Sequence, residues 1–186
     1  TPMGIAETFV DLGSYAGKSS LIGVTAINDL NRFGAFIMVE PAYNPKGSFR
    51  HTGPYFAADN YVDVITERVS TFITKAGLTV FPYGTTSEEF VMSEGALRIS
   101  YAFVDTGEHS EASLKPELDY LDRTIRAGGL IVFHDYGNQY SAPVEAAKRM
   151  VSTGRYKMID IDWDSINAEG LEDGNDSWHM VASNPK

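Results

Sequence analysis

The sequence predicts a doubly wound α/β fold with a mostly parallel sheet, and three observations carry that expectation. Seven short apolar runs rich in β-branched and aromatic residues recur along 186 residues. Helical patterns separate most of them, and the first run ends in an acid followed by a glycine-rich turn. Alternation of strand and helix means βαβ units, hence parallel strands covered on both faces.

The first strand is expected at Phe9–Leu12, followed by a tight turn and a helix with Leu21, Val24, Ile27 and Leu30 on one face. The second and third strands are expected at Ala35–Glu40 and Leu78–Pro82. Between these, Pro41 to Pro54 is irregular, with Asn44-Pro45, Gly47 and Gly53 as breakers, and it is long for such a connection, a property that favours function. Its aromatic residues Tyr43, Phe49, Tyr55 and Phe56 suit either a cover over a ligand or ordinary core. Thr86-Ser-Glu-Glu89 fits the capping box, so a helix begins there. A fourth strand at Ile99–Asp105 leads to a helical face of Leu114, Leu118, Leu121 and Ile125, and a fifth at Leu130–His134 to one of Val144, Ala147 and Val151. The last runs, Tyr156–Ile161 and Trp178–Ala182, are joined by a polar stretch without a clear helix, so an antiparallel pairing at the sheet edge is expected. With no internal repeat or boundary evident, residues 1–186 are read as one domain.

Composition narrows the partners. A hydrophobic content of 43% suits a globular chain, and a net charge of −10 argues against a nucleic-acid or anionic-membrane partner, which would require a basic face. The absence of cysteine excludes disulfides and thiolate metal sites. No apolar run of spanning length and no signal peptide are recognisable, so a cytoplasmic location is expected.

The turn Asp11-Leu-Gly-Ser-Tyr-Ala-Gly-Lys-Ser19 ends like a phosphate-binding loop, yet Gly13 and Gly17 enclose only Ser14, Tyr15 and Ala16, and Leu12 stands where that motif needs glycine. Asp11 would also repel a polyphosphate. In an open α/β sheet the ligand lies beyond the carboxyl ends of the strands, which here carry Asp11, Glu40, Thr85 to Ser87, Asp105 and His134-Asp135. On this acidic rim the two glycines are expected to let a ligand approach the backbone, with the helix start near Lys18 or Ser19 receiving an anionic end. Asp11 favours a cationic group, and Glu40 is placed to accept ribose hydroxyls. A ligand with an amino acid end, a cationic centre and a ribose is S-adenosylmethionine.

With these residues the sequence resembles the class I S-adenosylmethionine-dependent methyltransferases, whose first motif reads acid-x-Gly-x-x-x-Gly-x-Ser, as Asp11 to Ser19 does. It is closest to the macrocin and novobiocin type of small-molecule O-methyltransferase, through Phe103-Val-Asp-Thr-Gly-Glu-His109 and Gly128-Gly-Leu-Ile-Val-Phe-His-Asp-Tyr136. The resemblance implies a Rossmann-like sheet of order 3-2-1-4-5-7-6 with the last strand antiparallel. It also implies cofactor contacts from Asp11, Gly13, Ser14, Tyr15, Gly17, Ser19, Glu40, Thr85, Thr86, Ser87 and Asp105. That order makes the fourth and fifth strands neighbours, which sets Asp105 and Asp135 about 5 Å apart at backbone level, close enough to share Mg²⁺ with His134 as a third ligand. The family commonly has an acid at the position of His134, and an imidazole suits Mg²⁺ less well than it suits a general base. His109, four residues after Asp105, is either a surface histidine or a second group for deprotonating the acceptor.

The expected activity is methyl transfer to a hydroxyl of a small-molecule acceptor, a sugar or phenol. The substrate and lid helices that the family places before the first strand have no counterpart here, so the acceptor pocket is expected from the Pro41 to Pro54 loop, from a homo-oligomeric partner or from a larger parent protein. A non-catalytic domain that keeps this fold for binding or assembly is the alternative. A nicotinamide oxidoreductase is less well supported, because Tyr15 replaces the middle glycine of its fingerprint.

Overall fold

The computed structural model describes residues 6–44, 60–74, 77–95, 97–106, 110–134, 142–159 and 179–183. Seven strands form one sheet: β1 (Glu7–Leu12), β2 (Gly34–Val39), β3 (Leu78–Tyr83), β4 (Ile99–Val104), β5 (Ile125–Phe133), β6 (Tyr156–Ile159) and β7 (His179–Ser183). Their order is β3-β2-β1-β4-β5-β7-β6, the order the resemblance implies. The first five strands pair parallel, and β7 runs antiparallel to both β5 and β6.

Side chains alternate across the strands and so divide the core in two. Phe9, Phe36 and Met38 face α1 (Lys18–Asp29) and α2 (Tyr61–Ser70), where Val24, Ile27, Ile65 and Val69 complete one cluster. Val10, Leu12, Val104 and Phe133 face the other way. They pack with α3 (Ser87–Ser93), α4 (Glu111–Thr124) and α5 (Ala142–Ser152) through Phe90, Leu114, Leu118, Leu121 and Met150. Helix α2 was not among the expected helices, although Tyr61, Ile65 and Val69 repeat at the four-residue spacing of one helical face.

Ile125 departs from expectation. It opens β5 opposite Ile99 instead of closing α4, because the strand starts as soon as the helix ends. At the amino ends of the strands, the buried Glu7 carboxylate meets Arg126 at 2.8 Å and Arg32 at 3.5 Å.

The β1–β2 pairing depends on a glycine. Gly34 has φ +144, and a Cβ there would stand 2.6 Å from the Glu7 backbone nitrogen, inside contact distance. Gly34→Ala is therefore expected to destabilise the protein by roughly 3 kcal/mol, read as a Tm loss of about 6–12 °C. Gly95→Ala, where a Cβ meets nothing within 4 Å, serves as the control and should leave Tm unchanged within about 2 °C.

Candidate active site

The carboxyl ends of β1, β2, β4 and β5 converge because each strand hands a hydrogen bond to the segment leaving its neighbour. Gly13 N and Ser14 N both donate to Val39 O, Asp105 N donates to Leu12 O at 2.9 Å, and His134 N donates to Val104 O at 3.1 Å. Asp11, Glu40, Asp105 and His134 are thereby drawn to one edge of the sheet, as expected. Asp135 and His109, expected in metal binding and catalysis, lie outside the described residues, as do Phe49, Tyr55 and Phe56.

Asp11 is fully buried at the base of the turn. Its Oδ2 accepts hydrogen bonds from Ser19 Oγ at 2.7 Å and from Ser20 Oγ, whereas Oδ1 is buried with no hydrogen-bond partner. Desolvation is the main influence on its pKa. Although the two serine bonds oppose it, burial pushes the carboxyl from 3.8 up to about 7, with Asp105 and Glu40 adding repulsion. A buried acid with an open oxygen among other acids suits a cationic donor, so Asp11 fits the amino acid end and cationic character of S-adenosylmethionine.

The two glycines do a different job from the one expected. A Cβ on Gly13, at φ +86, would be driven into the carbonyl oxygen of Asp105, and one on Gly17, at φ +80, would stand 2.9 Å from Ile65 Cγ2. Their missing side chains admit the chain's own β4 exit and α2, so the spacing of this turn records packing as well as any ligand.

Between the glycines, Tyr15 adopts φ 44, a left-handed conformation that costs a tyrosine roughly 1 kcal/mol. Three side chains hold it there. Tyr15 N donates to Glu40 Oε2 at 3.1 Å, and its carbonyl accepts from Tyr43 Oη at 3.0 Å and Tyr61 Oη at 2.8 Å. Ser14 is buried and donates to Tyr43 Oη at 3.1 Å. Burial, first of all, raises the pKa of both Tyr43 and Tyr61, so each stays a neutral donor. Tyr43 is thus core, in a short 3₁₀ turn at Pro41–Tyr43.

Glu40 sits just beyond β2, where a ribose-binding acid was expected, but it also braces the turn. Its Oε1 accepts from Ala42 N at 3.0 Å and it is almost wholly buried. Ribose hydroxyls would have to use the lone pairs these amides leave. Thr86 caps α3 as expected, with Glu89 N donating to Thr86 Oγ1 and Thr86 N to Glu89 Oε2. Thr85 Oγ1 also donates to Glu89 Oε2, at 2.6 Å. Helix capping therefore accounts for Thr85 and Thr86 without a ligand.

At the β4 and β5 exits His134 Nδ1 stands 3.2 Å from Asp105 Oδ1, an approach of charge and ring without hydrogen-bond alignment, with both side chains partly accessible although Nδ1 itself is buried. That separation suits an imidazole–carboxylate pair, and it equally suits two neighbouring ligands of one cation. Among the described residues no group of three metal-ligating side chains is assembled, and the third expected ligand, Asp135, is not among them.

With this geometry in place, a family model described as a methyltransferase domain matches residues 10–136, more than half of the chain. The chain belongs to this methyltransferase family. No curated protein matches it. Among solved structures it is similar to CalS11, a TDP-rhamnose 3'-O-methyltransferase of calicheamicin biosynthesis, at TM-score 0.55 and 10% identity over 97% of this chain and 73% of that one. NovP, an O-methyltransferase, aligns at TM-score 0.54 and 9% identity over 98% and 73%. A fibrillarin pre-rRNA processing protein of Methanococcus jannaschii aligns at 0.54 and 12% over 100% and 70%. At such identities the likeness is one of fold, and the fold of this methyltransferase domain is that of the class I S-adenosylmethionine-dependent enzymes. No described helix is long and apolar enough to cross a membrane.

Two buried acids make stability depend on pH. Asp11 is raised from 3.8 and Glu117 from 4.5, each to about 7 and each mainly by burial, so the folded state keeps protons that the unfolded chain releases near pH 4. Stability therefore falls as pH rises through this window and is lowest above it. Between pH 6 and pH 8 the expected loss is roughly 1 kcal/mol per group. Asp11→Asn combined with Glu117→Gln should flatten the dependence and raise Tm at pH 8, measured by scanning calorimetry.

Proposed function

We propose that the domain transfers a methyl group from S-adenosylmethionine to a hydroxyl oxygen of a small-molecule acceptor, a sugar or phenol, with His134 as general base and Asp105 orienting it. The observation that carries this reading is the 3.2 Å approach of His134 Nδ1 to Asp105 Oδ1 at the strand ends that flank the Asp11 turn. The O-methyltransferase activity of CalS11 and NovP supports the oxygen acceptor, and the chain's net charge of −10 supports a small molecule over a nucleic acid.

When bound, S-adenosylmethionine supplies a methyl group on a positively charged sulfur. The chain's own residues then have two tasks, holding the acceptor oxygen in line and taking its proton. Asp105 Oδ1 is close enough to Nδ1 that a small turn of the imidazole would align the two, favouring the tautomer with the proton on that nitrogen and leaving Nε2 as the proton acceptor. Nε2 would take the hydroxyl proton of the acceptor, and Asp105 would stabilise the resulting imidazolium. The acids Asp11, Glu40 and Asp105 favour a cationic ligand before transfer and its neutral product less after it, which aids product release.

Calorimetric titration of S-adenosylhomocysteine, followed by transfer of labelled methyl groups to a panel of sugars and phenols, tests the reading. His134→Ala should lower the methyl-transfer rate by roughly 10²–10⁴-fold while cofactor affinity stays within about threefold. Activity is expected to survive a chelator; loss with chelator and recovery with Mg²⁺ would instead assign Asp105, His134 and Asp135 to a metal. Failure of the folded parent to bind the cofactor would leave a binding or assembly domain and withdraw the catalytic reading.

A further inference from the structure

Glu117 lies in the middle of α4 and is 1% exposed, yet the core-facing side of that helix is otherwise built from the aliphatic Leu114, Leu118 and Leu121 and the aromatic Tyr120. Its Oε2 accepts a hydrogen bond from the buried Thr106 Oγ1 at 3.1 Å, and the Ser87 hydroxyl at the start of α3 partly offsets the effect of burial on its pKa. A carboxylate in such a place is costly, and a leucine of similar volume would extend the core cluster without any desolvation penalty. Burial pushes its carboxyl up to about 7, a further sign of that cost. The residue is thus unfavourable for folding, and what it holds is the segment that follows Asp105.

The β4 exit is pinned at three points around one residue. Asp105 N donates to Leu12 O, the Asp105 carbonyl occupies the space left by the missing side chain of Gly13, and the next side chain, Thr106, is tied to Glu117. The first two contacts fix the peptide units on either side of the Asp105 Cα, and the third fixes the direction in which the chain leaves. With all three made, the Asp105 Cα is held beside the β5 exit, where its side chain comes within 3.2 Å of His134 Nδ1. We propose that Glu117 is a positioning residue that, through Thr106, holds Asp105 against His134 Nδ1. This inference rests on the pairing of Asp105 with His134 but not on methyl transfer having been observed.

The test is the tautomer of His134, read from its imidazole ¹⁵N chemical shifts at pH 8.5 in the cofactor-free full chain and assigned by comparison with His134→Gln. The parent should show the Nδ1–H form. Glu117→Gln, which keeps an oxygen for Thr106 to bond, should preserve it. Glu117→Leu should lose the Nδ1–H preference although its Tm is equal to or above that of the parent, and Thr106→Val, nearly isosteric, should lose it without depending on how the leucine packs. Where an acceptor is in hand, Glu117→Leu should lower kcat with the cofactor KM unchanged. If folded Glu117→Leu and Thr106→Val both keep the parent tautomer, the positioning role is overturned while the Asp105–His134 pair stands. A parent lacking the Nδ1–H form overturns the pair itself, and Glu117 with it.

Discussion

The approach of the Asp105 carbonyl to the Cα of Gly13 is the contact around which the carboxyl edge of the sheet is arranged. A strand that turns into a helix must reverse direction within a few residues, and here the turn is pressed against the exit of the neighbouring strand β4 with no side chain between them. The closeness lets Asp105 N reach Leu12 O, and β4 in turn lets His134 N reach Val104 O. Each strand is thus extended by one hydrogen bond past its formal end, and three functional segments share one register. A side chain at position 13 would separate β1 from β4 at this edge and disturb that register.

This edge is also where the protein accepts unfavourable electrostatics. Among the described residues Asp11 and Glu117 are buried acids without a basic partner, held instead by hydroxyls from Ser19, Ser20 and Thr106. Hydroxyls stabilise an acid less than a cation does, so both carboxyls are raised to about 7. The contrast with the opposite edge is instructive. There Glu7, equally a buried acid on β1, has Arg126 and Arg32 beside it. Among the described residues a cation is paired with the buried acid at the end where the chain only has to fold and with neither of the two at the carboxyl edge, a distribution that suits a binding edge.

Much of this was legible in the sequence, and the illegible parts share a cause. The number of strands and the placing of Asp11, Glu40, Asp105 and His134 follow from short apolar runs and from motifs read at their ends, because periodicity and turn chemistry are local, whereas the strand order came only with the family resemblance. The capping box at Thr86 is local too. Helix α2 was overlooked because its face has only Tyr61, Ile65 and Val69 as buried positions and follows a breaker-rich stretch. Ile125 continued the leucine spacing of α4, and only its pairing with Ile99, far away in sequence, makes it a strand residue. Glu117 left one weak trace, an acid beside the stripe of Leu114, Leu118 and Leu121, and the hydroxyls that act on it, Thr106 and Ser87, come from other elements. The glycine spacing announced a tight turn without saying that the chain itself would fill the space.

That last point bears on how the motif works. The bonds from Glu40, Tyr43 and Tyr61 to the backbone of Tyr15 hold a strained residue from three separate elements, β2's exit, the 3₁₀ turn and α2. Two neutral hydroxyls on one carbonyl and a carboxylate on the adjoining amide more than offset a left-handed tyrosine. A turn fixed in this way has little conformational entropy left to lose when a ligand arrives, so binding energy is not spent on ordering it. It follows that the glycines and the tyrosine clamp act on affinity through the shape of the turn before any ligand is present. In the proposed reaction the residues that touch the ligand can then be few, with Asp11 holding a buried oxygen that lacks a hydrogen-bond partner and the pair Asp105 and His134 proposed for the proton transfer.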